Sequence, residues 1–441
     1  MKIVSSYAVE IKNVNKIFRD TIKIYNDAVT FCINVFETEG NTLKMLDTGN
    51  KARFKCADDF IHSTKSNVAK YKEFDTKFHK LPSYLRFSVI NTALGYLASY
   101  HSNLENWKNE GMISKQPTLQ IHQHKMPTFY RKNMFKPCDN DDEVQLKLFV
   151  NHDWNWVTVK LKRTDVKSVK RHACNAKVSV PTLERKNKKW FLRFAFEENV
   201  TLNDTPLNER CILAVDLGIN TDATCCVMDC NGTILARRFV NFASDKDRIK
   251  HTLNKIKKTQ KRYGNHNLTK LWRYAKFHND ELAKKIANEI ASIATEYQCD
   301  AIVFEHLNIT DKIKGNRKQL LHLWKKNTIQ NIVMHKAHRN GIRISRICAW
   351  NTSKLAFDGS GEVLRGHDAN LSTYSLCRFT NGKIYSCDLS AAYNIGARYF
   401  IREMQQNLPV TVWSQVLAKV PELAKRTRCT YATLLKLNAC V

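Results

Sequence analysis

The stretch Cys211–Asn220, CILAVDLGIN, restricts the fold of this chain more than any other. Ile212, Leu213, Ala214 and Val215 form a short apolar run with no polar side. It is β-branched at two positions, which predicts a strand buried on both faces. Asp216 continues that strand, where an unmatched carboxylate costs several kcal/mol. The strand holds no basic residue to pair with it, so the acid calls for a metal ion or a proton. Gly218, two residues on, marks a bend or a close backbone approach.

Two further stretches carry acids in comparable settings. Ala301–Leu307, AIVFEHL, predicts a second apolar strand ending near Glu305. Ser386–Ile395, SCDLSAAYNI, puts Asp388 at the start of a small-residue helix, where an amino-terminal cap is its other reading. A single strand aspartate is more often a turn residue than a ligand. Three acids at the edges of three distant elements point to a shared divalent-cation site. Carboxylate oxygens without a soft ligand beside them favour Mg²⁺.

Taken in order, AVDLGIN, VFEHLN and CDLSAAYNI resemble the three acidic motifs of the RuvC-type nuclease domain. The version is that of the TnpB family and its descendants, the miniature type V CRISPR effectors. The segment LWKKNTIQNIVMHKAHRNGIRISRI and the following NTSKL are similar to that family too. The resemblance covers roughly residues 205 to 403, with the amino-terminal half matching in layout. It implies a multidomain α/β and α+β protein. A RuvC/RNase H-like nuclease domain follows a small wedge β-barrel that carries a helical recognition insertion. The implied boundaries are a first barrel strand at 1–12, the helical domain at 13–124 and the rest of the barrel at 125–203. The nuclease domain occupies 204–350 and 388–406, interrupted by a nucleic-acid-binding insertion at 351–387, with a basic tail at 407–441.

The resemblance also implies the activity. Family members bind a guide RNA, recognise a short motif in double-stranded target DNA, and cut DNA at one RuvC-type site. Asp216 would bridge two Mg²⁺ ions, with Glu305 and Asp388 completing the two sites. Two other readings share the lineage or the acids: an RNA-guided repressor that does not cut, and a guide-independent transposase or resolvase. A monomer in the prokaryotic cytoplasm, associated with the nucleoid, is the expected setting. The chain departs from the family in two places. The insertion lacks the usual two CxxC pairs; only Cys377, Cys387 and His367 remain as local candidates, so structural zinc is not expected. Ser390-Ala391-Ala392 stands where the family has Asn-Ala-Ala, with Asn394 one turn on.

Charge agrees with a polyanionic partner. Lys and Arg total 71 against 41 Asp and Glu, a formal net charge of +30. Hydrophobic residues make up 43%, enough for real cores. No apolar run approaches the ~18 residues that span a bilayer, and the polar, alternating start MKIVSSYAVEIKN is no signal peptide. The 14 cysteines are scattered, which suits free thiols in a reducing compartment.

Residues 1 to about 12 alternate, as an edge or barrel strand does, and from Val14 onward the apolar spacing becomes helical. Strands return from about 125 to 198, with a polar hairpin turn within Glu184–Lys189. Lys160, Lys162 and Arg171, interleaved with Trp154, Trp156 and Trp190, make either a solvated basic face or a nucleic-acid surface. Residues 245–297 predict two basic helices broken near Gly264, with Lys257, Lys258, Lys261 and Arg262 as candidates for phosphate contact. Gln319–Asn340 predicts a helix closed by Gly341. In the insertion, Lys354, Arg365 and Arg378 are candidate DNA contacts. The tail beyond Pro409 is expected to be peripheral, with one helix around Trp413 to Val420.

Overall fold

The computed structural model describes residues 1–12, 16–45, 49–112, 115–119, 121, 125–130, 132–172, 176–264, 268–306 and 323–440. Val14, Leu307 and the first residues of the helix expected at Gln319–Asn340 lie outside them. The chain divides into two compact units, 2–198 and 199–441 with Met1.

In the first unit the alternation of Ile3, Val9 and Ile11 forms β1 (Lys2–Lys12). The helical block that follows is α1 (Arg19–Thr38), α2 (Gly40–Met45), α3 (Gly49–Ile61), α4 (Glu73–Lys77) and α5 (Ser83–Asn109). Then come β2 (Phe135–Pro137), β3 (Glu143–Val150), β4 (Asp153–Leu161), α6 (Arg163–His172), β5 (Lys177–Val178), β6 (Thr182–Lys186) and β7 (Lys189–Asn199). The strands form one seven-stranded sheet in the order β2-β3-β4-β1-β7-β5, with β6 paired to β7. β1 is therefore central, not at an edge, with antiparallel β4 on one side and β7 on the other. Among the described residues the ladder is open, and no pair joins β2 to β5 to close a barrel. Asn187 and Lys188, both at positive φ (51° and 66°), make the tight turn between β6 and β7.

Helices and sheet in this unit share one continuous core, from Phe18, Tyr25 and Phe36 through Leu85 and Ile90 to Leu146 and Leu192. Tyr25 places its hydroxyl 3.0 Å from Ser88 Oγ and 2.8 Å from Thr92 Oγ1, joining α1 to α5. Thr21 Oγ1 accepts from the Phe149 amide at 2.8 Å, joining α1 to β3.

The second unit begins with β8 (Cys211–Asp216), β9 (Ala223–Asp229) and β10 (Ile234–Val240). The basic helices are α7 (Ala243–Tyr263) and α8 (Thr269–Glu296), separated at Gly264. β11 (Ala301–His306), α9 (Lys326–Arg339) and β12 (Arg343–Cys348) complete a five-stranded sheet in the order β10-β9-β8-β11-β12. β8, β11 and β12 run parallel, while β9 and β10 are antiparallel additions. The insertion forms a separate three-stranded sheet of β13 (Leu364–Arg365), β14 (Leu376–Arg378) and β15 (Ile384–Ser386). The chain ends with α10 (Cys387–Asn407), α11 (Val410–Lys419) and α12 (Tyr431–Asn438).

A strand's period of two divides β8 between two cores. Leu213 and Val215 pack under α7, α8 and α9 with Ile286, Ile290 and Val333. Ile212 and Ala214 pack under α10 with Ile395 and Phe400. Gly396 lets α10 lie close, since a Cβ there would stand 3.1 Å from the Met228 sulfur and 3.3 Å from Ala214 Cβ.

The tail is not peripheral. Leu434 and Leu437 of α12 are fully buried against α10. Tyr431 Oη donates to Gly232 O at 2.7 Å and Asn438 Nδ2 donates to Cys230 O at 3.0 Å, clasping the β9–β10 turn. The apolar spacing of Leu434 and Leu437 was hidden by the short length of α12, which leaves too few turns for a periodic pattern. No helix among the described residues is long and apolar enough to cross a membrane. Leu434→Ala should destabilise this unit by roughly 2–5 kcal/mol, seen as a lower urea midpoint for the full chain. An unchanged midpoint would mean that α12 is dispensable to the core.

Candidate active site

Parallel pairing sets the acids side by side. Val215 of β8 lies opposite Phe304 of β11, so Asp216 and Glu305 follow at the carboxyl ends of neighbouring strands, roughly 4.8 Å apart along the hydrogen-bonding direction. Val215 and Phe304 belong to the core under α7 to α9. The alternation therefore turns Asp216 and Glu305 to the other face, that of α10, whose first turn carries Asp388.

Asp388 is not the cap of α10. Ser386 takes that place, its Oγ accepting from the Leu389 amide at 3.3 Å. The structure thus moves the cap two residues upstream and leaves the Asp388 carboxyl for other contacts. Thr221 gives it a side-chain hydrogen bond. Gly218 makes the loop that carries Thr221 possible, because a Cβ there would come within 2.5 Å of Thr221 O.

The three carboxyls act on one another. Burial, and then the charges of Glu305 and Asp388, hold Asp216 well above the usual carboxylate range, against the pull of the Arg365 guanidinium. Burial also raises Glu305, opposed by a hydrogen bond from Thr352 and by the charge of Arg398. Burial raises Asp388, opposed by Thr221 and by Arg365. Glu305 is only 8% exposed, whereas Asp216 and Asp388 keep an open edge.

The polar groups behind the acids were not legible as site residues. Thr352, in the NTSKL stretch, donates its hydroxyl to Glu305 Oε1. Asn394, fully buried, donates from Nδ2 to Thr352 O and Leu355 O, each at 2.9 Å, and accepts from the Tyr431 amide at 3.0 Å. Gln330 Nε2 reaches Glu305 O at 3.3 Å. Arg398, 5% exposed, holds the carbonyls of Cys348, Trp350, Thr427 and Cys429. Ser390, the departure from Asn-Ala-Ala, accepts from the Phe357 amide at 3.1 Å and so ties the insertion to α10. A buried Asn on an otherwise apolar helix was the one available signal.

The basic candidates separate. Lys160 pairs with Glu143 at 3.5 Å and Lys162 with Asp165 at 3.2 Å, while Arg171 Nε meets the Lys167 carbonyl of its own helix. Trp190 packs on Phe18, and Trp156 lies under Lys136. Lys354 pairs with Glu362 at 2.7 Å, and Arg378 Nε holds Ala369 O at 3.1 Å. Lys257, Lys258, Lys261 and Arg262 are exposed on α7 with no ion-pair partner among the described residues. Arg365 turns towards the acids, its Nη2 held by Ser353 O. Cys377 and Cys387 face one another, thiol to thiol, in the small core of the insertion with Ala356 and Phe379.

Among the described residues, no three His, Cys, Asp or Glu groups stand at spacing ready to hold a metal ion. The donor set still fits a hard divalent cation by its chemistry, since all three groups are carboxylates and their mutual repulsion leaves negative charge to be matched.

Among solved structures, the mini-RNA-guided endonuclease CRISPR-Cas_phi3 aligns over 88% of this chain and 91% of its own, with a TM-score of 0.53 at 8% identity. The fold is that of the miniature type V effectors. A Cas12f1–sgRNA–target DNA complex aligns over 96% of this chain and 81% of its own, with a TM-score of 0.49 at 13% identity. The Aq_aa04 family matches residues 5–150, within the first compact unit. No curated protein matches the sequence.

The raised acids carry a pH signature. A carboxyl raised in the folded state binds its proton more tightly there than in the unfolded chain. The contribution of these three groups to stability is therefore fully present in acid and is lost as pH rises from the ordinary carboxylate range through the folded value. Asp216→Asn should raise the melting temperature near neutral pH in a metal chelator, and by less in mild acid. Equal shifts at both would mean that Asp216 is not strained by its neighbours.

Proposed function

We propose that this chain is an RNA-guided DNA endonuclease of the TnpB and miniature type V lineage, hydrolysing phosphodiesters at one RuvC-type site. The observation that carries the reading is the convergence of Asp216, Glu305 and Asp388 at the carboxyl ends of parallel strands and the start of α10. The likeness of fold to Cas_phi3, a mini-RNA-guided endonuclease, supports it. In this reading, residues 204–350 and 388–406 are the RuvC-like domain and 351–387 a DNA-contacting insertion. The first unit combines the wedge sheet with a helical recognition block.

A phosphodiester resists attack because its own charge repels a nucleophile. A pair of Mg²⁺ ions held by the three acids would supply an activated water and neutralise the departing 3′ oxygen. Asp216, Glu305 and Asp388 would hold the ions, with Asp216 between the other two acids. Thr352 fixes one oxygen of Glu305, and Thr221 orients Asp388. Arg365 acts by its charge on Asp216 and Asp388, and in this reading its guanidinium would meet the negative phosphoryl group.

Guide RNA and double-stranded target DNA are the proposed partners. The excess of positive charge suits holding an RNA scaffold and an A-form heteroduplex by their backbones, leaving sequence choice to base pairing. Exposed Lys257, Lys258, Lys261 and Arg262 on α7 are candidates for such contacts.

Purified with its copurifying RNA, sequenced and used as guide, the chain should cut a matching duplex only with a divalent ion. Asp216→Ala and Asp388→Ala should abolish cutting while leaving DNA binding nearly intact; cutting at the normal rate by either variant sinks the assignment. Arg365→Ala should slow cutting by roughly 10²-fold, the order lost with one charge-stabilising donor. An unchanged single-turnover rate would remove Arg365 from the chemistry.

A further inference from the structure

One strand over from Glu305, at the outer edge of the five-stranded sheet, lies a cavity of about 90 Å³. Arg346 and Cys348 line it from β12, Arg398 and Arg402 from α10, and Arg426 and Cys429 from the segment before α12. No carboxylate is in its wall. One water needs about 10–15 Å³ of such space, so there is room for a tetrahedral oxyanion.

The guanidiniums are not all used up by the protein. Arg398 gives its hydrogen bonds to four backbone carbonyls, which fix it with no carboxylate hydrogen-bonded to it among the described residues, although its charge also acts on Glu305. Arg402 is braced by Ser345 Oγ at 2.8 Å and by Glu403, which also lies 3.4 Å from Arg210. Arg346 spends only Nε, on Gln330 Oε1 at 3.1 Å, so both of its terminal nitrogens face no protein acceptor among the described residues. Arg426 has no partner among them. Four positive side chains surround one small space, two of them with donors to spare. A planar fork of N–H groups matches phosphoryl oxygens two at a time.

We propose that this cavity binds a phosphoryl oxyanion, with Arg346 and Arg426 closing on it and Arg398 and Arg402 as its fixed floor. The anion is either a backbone phosphate of a nucleic-acid strand, which rests on the nuclease reading, or a free phosphate, which does not.

Isothermal titration of the full chain with inorganic phosphate at low salt tests the site, followed by competition with an unphosphorylated oligothymidylate. Phosphate should bind, and Arg426→Gln and Arg346→Gln should each weaken it by about tenfold, while Lys65→Gln, at an exposed position in the other unit, leaves it unchanged. Arg426 is exposed and unpartnered, so its variant should melt as the parent does. If the oligothymidylate displaces phosphate, the occupant is a strand phosphate; if phosphate binds and is not displaced, it is the free anion. Absence of phosphate binding, or equal affinity in both variants and the parent, overturns the site. Asp216→Ala should bind phosphate normally, so a failure of the nuclease reading and a failure of this site would be seen separately.

Discussion

The parallel pairing of β8 with β11 is the constraint on which the molecule's second unit depends. It brings Val215 level with Phe304 and so delivers two acids, distant in the chain, to the same end of the sheet. Gathering like charges at a buried edge is unfavourable by itself. It is tolerated because both faces of the sheet are covered, by α7 to α9 on one side and by α10 and α12 on the other. The apolar cover removes water from the acids, which raises them, and the same rigidity keeps them from moving apart.

The electrostatic design is a local inversion of the whole. A chain with a net charge of +30 gathers three carboxylates at one edge of its second unit's sheet. Arginine enters that pocket at two places in different roles. Arg398 is sealed among backbone carbonyls and tempers Glu305 from behind, whereas Arg365 comes from the insertion and acts on the open side. The insertion is thus joined to the acid cluster electrostatically through Arg365 and mechanically through Ser390 and Thr352.

That mechanical coupling reaches the end of the chain. Asn394 holds the NTSKL loop with its nitrogen and the first residue of α12 with its oxygen. Thr352, whose carbonyl Asn394 grips, is the residue that orients Glu305. The first residue of α12 is thus linked to Glu305 by hydrogen bonds through two side chains, Asn394 and Thr352.

The sequence by itself determined the strands and the three acids. The apolar run before Asp216, the run before Glu305 and the small-residue helix after Asp388 are local patterns, and local patterns survive in one dimension. Asn187-Lys188 and Gly232 fell within turns that their neighbours announced. What only the tertiary structure decided were the contacts made across long separations. Thr352 meets Glu305 from 47 residues away, Arg398 reaches four carbonyls in two segments, and the charge of Arg365 acts on Asp216 and Asp388. The tail, read as peripheral, became core because α12 is too short to show a periodic face and gains its stability only by packing on α10. Side-chain orientation on an irregular insertion and the docking of a short helix have no period to betray them. They follow from which surfaces meet, and that is settled only when the whole unit closes.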